Sequence, residues 1–240
     1  MHHKISNREF VTHTGTYKSK PVTALATGIG TDNIDIVVNE LDAAVNFDLE
    51  SRSELEEKTS LNLIRIGTCG GLQPDLDVHD VIISSYSVGL DGVKHFYDLP
   101  EESEAERHIR IAFEGFADFP DTMNSPYVAA ADSNWVDTFS SLGKSGITLT
   151  SNGFFGPQGR SLRLTSRLTS FNADIDRFEV NGLRALNYEM ESSALFALGG
   201  ALGHKCACLC LVVANRNARK FSKGYQSEMN DLIVNVLDRL

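Results

Sequence analysis

The sequence has no apolar run approaching the roughly 20 residues that a bilayer-spanning helix requires, so no membrane helix is expected. Its start, Met1-His2-His3-Lys4-Ile5-Ser6, lacks the apolar stretch of a secretory signal. Basic side chains are scarce: 22 Lys and Arg stand against 32 Asp and Glu, for a net charge of −10. That balance argues against a general nucleic-acid binder, whose phosphate backbone calls for a basic face. It leaves room for a small anion, which needs only a few local arginines. Repeats, low-complexity stretches and linkers are also missing, so residues 1–240 read as one domain.

Cysteine is sparse too. Of Cys69, Cys206, Cys208 and Cys210, the last three alternate through Ala207, Leu209, Leu211, Val212 and Val213. A buried strand using cysteine as a small hydrophobe explains this pattern, and no second cluster completes a zinc site. Reduced thiols without a secretory signal point to the cytoplasm.

What is present is an alternation of strands and helices. A β-type run over residues 21–27 ends at Gly28-Ile29-Gly30, and Ile34, Val37, Val38, Leu41 and Val45 then follow a helical period. Residues 46–60 form a polar excursion. Residues 61–66 read as a strand stopped by Gly67 and Gly70-Gly71, and residues 78–88 as another strand. A surface helix is expected over 101–119 and a short apolar strand over 128–131, with Asp132 or Ser133 capping the next helix. Residues 146–150 enter a loop at 151–159, and 188–202 carry a long helical pattern. A buried strand at 205–214 and an amphipathic helix at 225–240 close the chain. Such an order predicts an α/β sandwich around a central sheet.

In open α/β sheets, ligands collect at the carboxyl ends of strands. Four such ends differ from ordinary turns. Thr27-Gly28-Ile29-Gly30 lets the backbone approach a ligand or a neighbour, as a plain strand-to-helix turn also requires. Arg65-Ile66-Gly67-Thr68-Cys69-Gly70-Gly71 offers a cation, a hydroxyl and free amides, the chemistry of an oxyanion site. A carboxylate partner for Arg65 and a tight turn account for it equally well. Phe154-Phe155-Gly156-Pro157-Gln158-Gly159-Arg160 offers a stacking ring, an amide and a donor fork, suited to the edge of a planar heterocycle. The plain alternative packs both rings in the core and leaves Gln158 and Arg160 in water. Asn187-Tyr188-Glu189-Met190-Glu191-Ser192 places carboxylates beside small apolar residues, where vicinal sugar hydroxyls or an arginine would justify them. The strand that follows ends in Asn215-Arg216.

Taken in this order, those segments resemble the uridine phosphorylase branch of the nucleoside phosphorylase family, with similarity running from about Ser6 to Leu240. The resemblance implies a three-layer α/β/α sandwich with a central mixed, partly barrelled sheet. It implies a homodimer, with a hexamer of three dimers as the larger assembly. Arg65 and Thr68 would bind phosphate, and Arg8 would reach the neighbouring subunit's phosphate. Met190 and Glu191 would hold the ribose. Gln158 and Arg160 would read the pyrimidine edge, with Phe154 against base or sugar, Arg216 closing the base side, and Val213 and Ala214 lining it. Glu9, Ile29 and Asn33 match positions that hold a monovalent cation in some members, with Asn33 replacing a serine. No other cofactor is implied, phosphate being a co-substrate. The implied reaction is reversible phosphorolysis of uridine to uracil and ribose 1-phosphate.

The sequence departs from the family in one respect. Members normally begin with a strand and a Gly-Asp-Pro-x-Arg phosphate loop, and nothing before Ser6 supplies either, nor the partner-derived histidine that contacts ribose. A chain lacking that start, or one with a reduced phosphate site, is therefore expected. The alternatives are a purine-directed or hydrolytic relative, in which an aspartate usually stands at Asn215, and a catalytically impaired nucleoside-binding protein.

Overall fold

The computed structural model describes residues 2–8, 10–116, 123–168, 174–215 and 217–240. The chain opens with an antiparallel meander of β1 (His3–Asn7), β2 (Phe10–Tyr17) and β3 (Lys20–Ala26), which forms a sheet of its own. Strands β1 and β2 were not foreseen. All five residues of β1 are exposed, so neither face carries the apolar alternation that reveals a strand. The meander is tied to the far end of the chain, where Lys18 Nζ lies 2.7 Å from the Asp238 carboxylate and Tyr17 donates to the same group.

Helix α1 (Thr31–Asn46) follows, burying Ile34, Val37 and Val38 on the predicted face. Residues 47–61 are mostly exposed, as their polarity implies, apart from a two-residue hairpin pairing Phe47–Asp48 with Ser53–Glu54.

The main sheet contains β4 (Asn62–Gly71), β5 (Val81–Gly89), β6 (Tyr127–Ala130), β7 (Lys144–Thr150), β8 (Leu183–Glu189) and β9 (Lys205–Asn215). Neighbouring strands run in the order β9-β4-β8-β7-β5-β6, and β9 also pairs with β5, which closes five of them into a ring. Parallel pairs (β9 with β4, β8 with β7, β7 with β5) mix with antiparallel ones, giving the mixed, partly barrelled sheet.

Strand β9 shows how the layers form. Cys206, Cys208, Cys210 and Val212 face α1 and α4 (Ser192–Ala201), while Ala207, Leu209 and Leu211 face Phe139 of α3 (Ser133–Phe139) and Leu232 and Val236 of α5 (Gln226–Leu237). Both faces are buried, so the strand is apolar throughout, and each large side chain enclosed there contributes about 1.5–3 kcal/mol. Helix α2 (Glu104–Phe116) packs Ile109 and Phe113 into a third cluster with Val88, Ile147 and Leu149. The Asp132 side chain caps α3 by accepting from Trp135 N at 3.2 Å. No helix among the described residues is long and apolar enough to cross a membrane.

Two further elements differ from expectation. Strand β4 continues through Gly67 and Gly70 to Gly71, because parallel β9 supplies pairing as far as Asn215. Tyr188 and Glu189 end strand β8 instead of opening a helix, and α4 begins only at Ser192. The Glu189 carboxylate causes that boundary by accepting from the backbone amides of Glu191 and Ser192, both at 2.9 Å, as a helix-capping group does.

Candidate active site

A cavity of about 1000 Å³ opens between the end of the meander, α1 and the carboxyl ends of β4, β8 and β9. Its lining includes Arg65, Thr68, Phe154, Gln158, Arg160, Met190 and Glu191, drawn from three separate sequence segments, together with Val213 and Ala214. Convergence of polar groups on one large concave site is what a ligand pocket requires.

Arg65 projects from β4 onto the α1 and α4 face, where its side chain is 15% exposed. Its Nη2 donates to Glu191 Oε2, and its Nη1 lies 3.3 Å from Glu189 Oε2. Nη1 also donates to Cys208 Sγ at 3.3 Å and Cys210 Sγ at 3.1 Å. The two cysteines are therefore more than core filling, since they complete a cradle for a guanidinium. Contact with Cys210 and burial lift the Cys208 thiol well above its ordinary range, so it is a neutral acceptor. Glu189, Cys208 and Cys210 offer ligand atoms within 4.8 Å of one another, but the cation among them is Arg65.

Gly67 makes this arrangement feasible. A Cβ on Gly67 would stand 2.6 Å from Arg65 Nη1 and 2.8 Å from its Cζ. Gly67→Ala is accordingly expected to expel the guanidinium and strand two buried carboxylates. That costs about 3 kcal/mol or more, which lowers the unfolding midpoint by roughly 6–12 °C in a chain of this size. An unchanged midpoint in a thermal scan would show that Arg65 does not depend on the space above Gly67.

The other carboxylate contact explains the first glycine motif. Gly28 and Gly30 adopt φ of 75° and 107°, which turn the chain so that Gly30 N donates to Glu191 Oε1 at 2.7 Å. The close approach serves a neighbouring side chain. Burial raises the Glu191 pKa above the ordinary carboxylate value, and Arg65 and the Gly30 amide pull it back.

The aromatic loop reverses its plain alternative. Phe154 and Phe155 are exposed, whereas Gln158 is buried. Arg160 stacks over the Phe154 ring with Cζ 4.0 Å from the centroid, and its Nη1 donates to Phe154 O and Gln158 Oε1. Stacking face, amide and donor fork thus form one unit at the cavity wall.

The remaining expected residues fall into different groups. Arg8, at φ 52°, occupies the exposed tip of the β1–β2 hairpin, outside this cavity. Glu9 and Arg216 lie outside the described residues. Ile29 lines the cavity, and its carbonyl accepts from Asn33 Nδ2 at 3.0 Å. A cation there would need that amide turned over to present its oxygen. Asn215 is fully buried, donating to Gln73 O at 2.8 Å and Leu76 O at 2.7 Å while accepting from Ala218 N at 2.9 Å. Its amide braces loops and does not line the cavity. Sequence reasoning gave no role to Thr150, Ser87 and Ser192, which hold Glu189 from beneath; isolated hydroxyls in strands carry no spacing signal.

Comparison with known proteins finds relatives over most of the chain. Residues 2–236 match the family model of the phosphorylase superfamily. A uridine phosphorylase of Thermococcus kodakarensis is 30% identical over 222 residues, covering 92% of this chain and 68% of the relative. A uridine phosphorylase of Escherichia coli is 31% identical over 242 residues, covering 98% and 82% respectively. A Trypanosoma brucei nucleoside phosphorylase whose crystal structure is described as showing uridine phosphorylase activity superposes with a TM-score of 0.87 at 25% identity. It covers 99% of this chain and 85% of its own.

Proposed function

The chain belongs to the phosphorylase superfamily, and from that premise we propose that it is a pentosyltransferase catalysing the reversible phosphorolysis of uridine to uracil and ribose 1-phosphate. The observation that carries this reading is the meeting of a guanidinium, a buried carboxylate and an amide–guanidinium pair in one cavity of about 1000 Å³.

The chemistry assigns each group a part. Phosphate sits against Arg65 and Thr68, with the partner subunit's Arg8 completing the anion site. Glu191 accepts from the ribose hydroxyls, and Met190 packs on the sugar. Gln158 and Arg160 meet the pyrimidine edge beside Phe154, with Arg216 closing that side. As the glycosidic bond loosens, the sugar gains oxocarbenium character and the departing uracil gains negative charge, which Arg160 and Gln158 stabilise. Phosphate then attacks the anomeric carbon. No covalent enzyme intermediate forms, so catalysis is positioning plus electrostatics. The same reading gives a homodimer, or three such dimers, acting in cytoplasmic nucleoside salvage.

Incubating the chain with uridine, with and without phosphate, tests the proposal: uracil is expected only when phosphate is present, and faster than hypoxanthine from inosine. No uracil at saturating phosphate would overturn it.

A pH dependence follows from Glu191. Its carboxylate form is the hydroxyl acceptor, and burial holds its pKa above the ordinary value. With phosphate saturating, kcat/KM for uridine should fall with decreasing pH on a limb lying above about 4.3, the unperturbed glutamate value. By linkage, a pKa raised in the folded state makes the stability that Glu191 contributes greatest below its unfolded pKa. That contribution is lost as pH rises through the folded pKa. An acid limb at or below the unperturbed value would remove Glu191 from this role.

A further inference from the structure

Two carboxylates meet Arg65, and their surroundings are unlike. The Glu189 side chain is completely enclosed. Its Oε1 accepts from Thr150 Oγ1 and from Ser192 Oγ at 2.8 Å, and its Oε2 accepts from the amides of Glu191 and Ser192, both at 2.9 Å. Arg65 Nη1, at 3.3 Å, is added to these four. A carboxylate has about four lone-pair sites, so Glu189 has no capacity left for a ligand. The hydroxyls beneath it are themselves fixed, with Ser87 Oγ 2.7 Å from Thr150 Oγ1 and 3.0 Å from Ser192 Oγ. Strands β5, β7 and β8 and the start of α4 thus hold one negative charge immobile. Glu191 differs: both glutamates line the cavity, but among the described residues the Glu191 carboxylate has two hydrogen-bond partners, Gly30 N and Arg65 Nη2, which leaves it capacity for a ligand.

We propose that Glu189 is a positioning residue that anchors Arg65, so that Glu191 exchanges the guanidinium for a sugar's hydroxyls without releasing Arg65 from the anion site. This rests on the reading of the cavity as a site for nucleoside and phosphate. A lone carboxylate partner could not serve both ligands: when it turned to the sugar, the guanidinium would lose its hold. With Glu189 fixed and the Cys208 and Cys210 sulfurs beside Nη1, the guanidinium keeps its place while Nη2 becomes free to donate to a phosphate oxygen. The division of labour is sequence-local, since Glu189 ends β8 and Glu191 immediately precedes α4.

Glu189→Gln tests it. Glutamine keeps the volume and one acceptor oxygen for the two amides, while its NH2 faces hydroxyls that can turn to accept, so the fold survives and the charge is lost. The expected result is a rise of at least about tenfold in half-saturating phosphate, and up to ~100-fold in kcat/KM lost, with half-saturating uridine rising as well because Glu191 stays bound to Arg65. A merely structural role would lower the maximal rate through the folded fraction and leave both half-saturation values alone. A crystal structure of the variant should show the guanidinium moved off the two sulfurs towards Glu191. Glu189→Asp keeps the charge but withdraws it by one methylene, and it carries the same expectation at smaller size should Glu189→Gln not fold. A folded variant with Arg65 in place and parental phosphate saturation overturns the inference. Absence of uracil from the parent protein overturns only the functional reading, because the position of Arg65 in the variant crystal decides the inference by itself.

Discussion

Arg65→Ala is expected to lower kcat/KM for phosphate about a thousandfold, the scale seen when a preorganised anion-binding donor is removed. The same change should destabilise the protein by about 3–5 kcal/mol, because it leaves a buried carboxylate pair without its cation. Glu189 and Glu191 are 0% and 5% exposed at the side chain, so water compensates their charges poorly compared with the guanidinium. Lysine would not restore the site. Its point charge cannot bridge two carboxylates and two sulfurs as the planar fork does, and Arg65→Lys should recover stability before activity. Steady-state kinetics with phosphate varied, beside denaturant unfolding of the same preparation, separates the two effects. Parental kinetics in Arg65→Ala would remove the anion site from this cavity.

Glu191→Gln carries the second large effect, on the other substrate. Two hydrogen bonds from sugar hydroxyls to a charged acceptor contribute about 1.5–3 kcal/mol each, so kcat/KM for uridine should fall by roughly two to four powers of ten. Phosphate alone should bind no more weakly, because the variant leaves Arg65 with one carboxylate competitor fewer. Calorimetric titration with inorganic phosphate, run beside uridine kinetics, reads both expectations. Equal loss for the two ligands would mean that Glu191 acts only through the shape of the cavity.

The sequence made the site legible wherever chemistry is concentrated in a few consecutive residues. Arg65 and Thr68 stand on one strand, Gln158 and Arg160 on one loop, and Met190 and Glu191 on one strand-to-helix link, and all line the same cavity. The strand at 205–214 and the helix behind Gly30 were legible from periodicity, because each buries a defined set of side chains. What escaped was set by partners distant in sequence. Strand β4 passes through its glycines because β9 pairs with them, and a stop signal read locally could not anticipate that. Tyr188 and Glu189 sat within a helical pattern, yet pairing with β7 and the capping by Glu189 delay the helix to Ser192. The exposed strand β1 carried no apolar code. The choice between an anion and a carboxylate partner for Arg65 depended on two glutamates more than a hundred residues away in sequence.

The central claim is that one cavity holds phosphate against Arg65 and a pyrimidine against Gln158 and Arg160. A crystal of this protein soaked with phosphate and uracil tests it most directly. The account predicts phosphate oxygens within hydrogen-bond reach of Arg65 and Thr68, and the uracil edge on the Gln158 amide and the Arg160 guanidinium beside Phe154. Phosphate bound elsewhere, with Arg65 still closed on both glutamates and uracil absent from the aromatic loop, would contradict it.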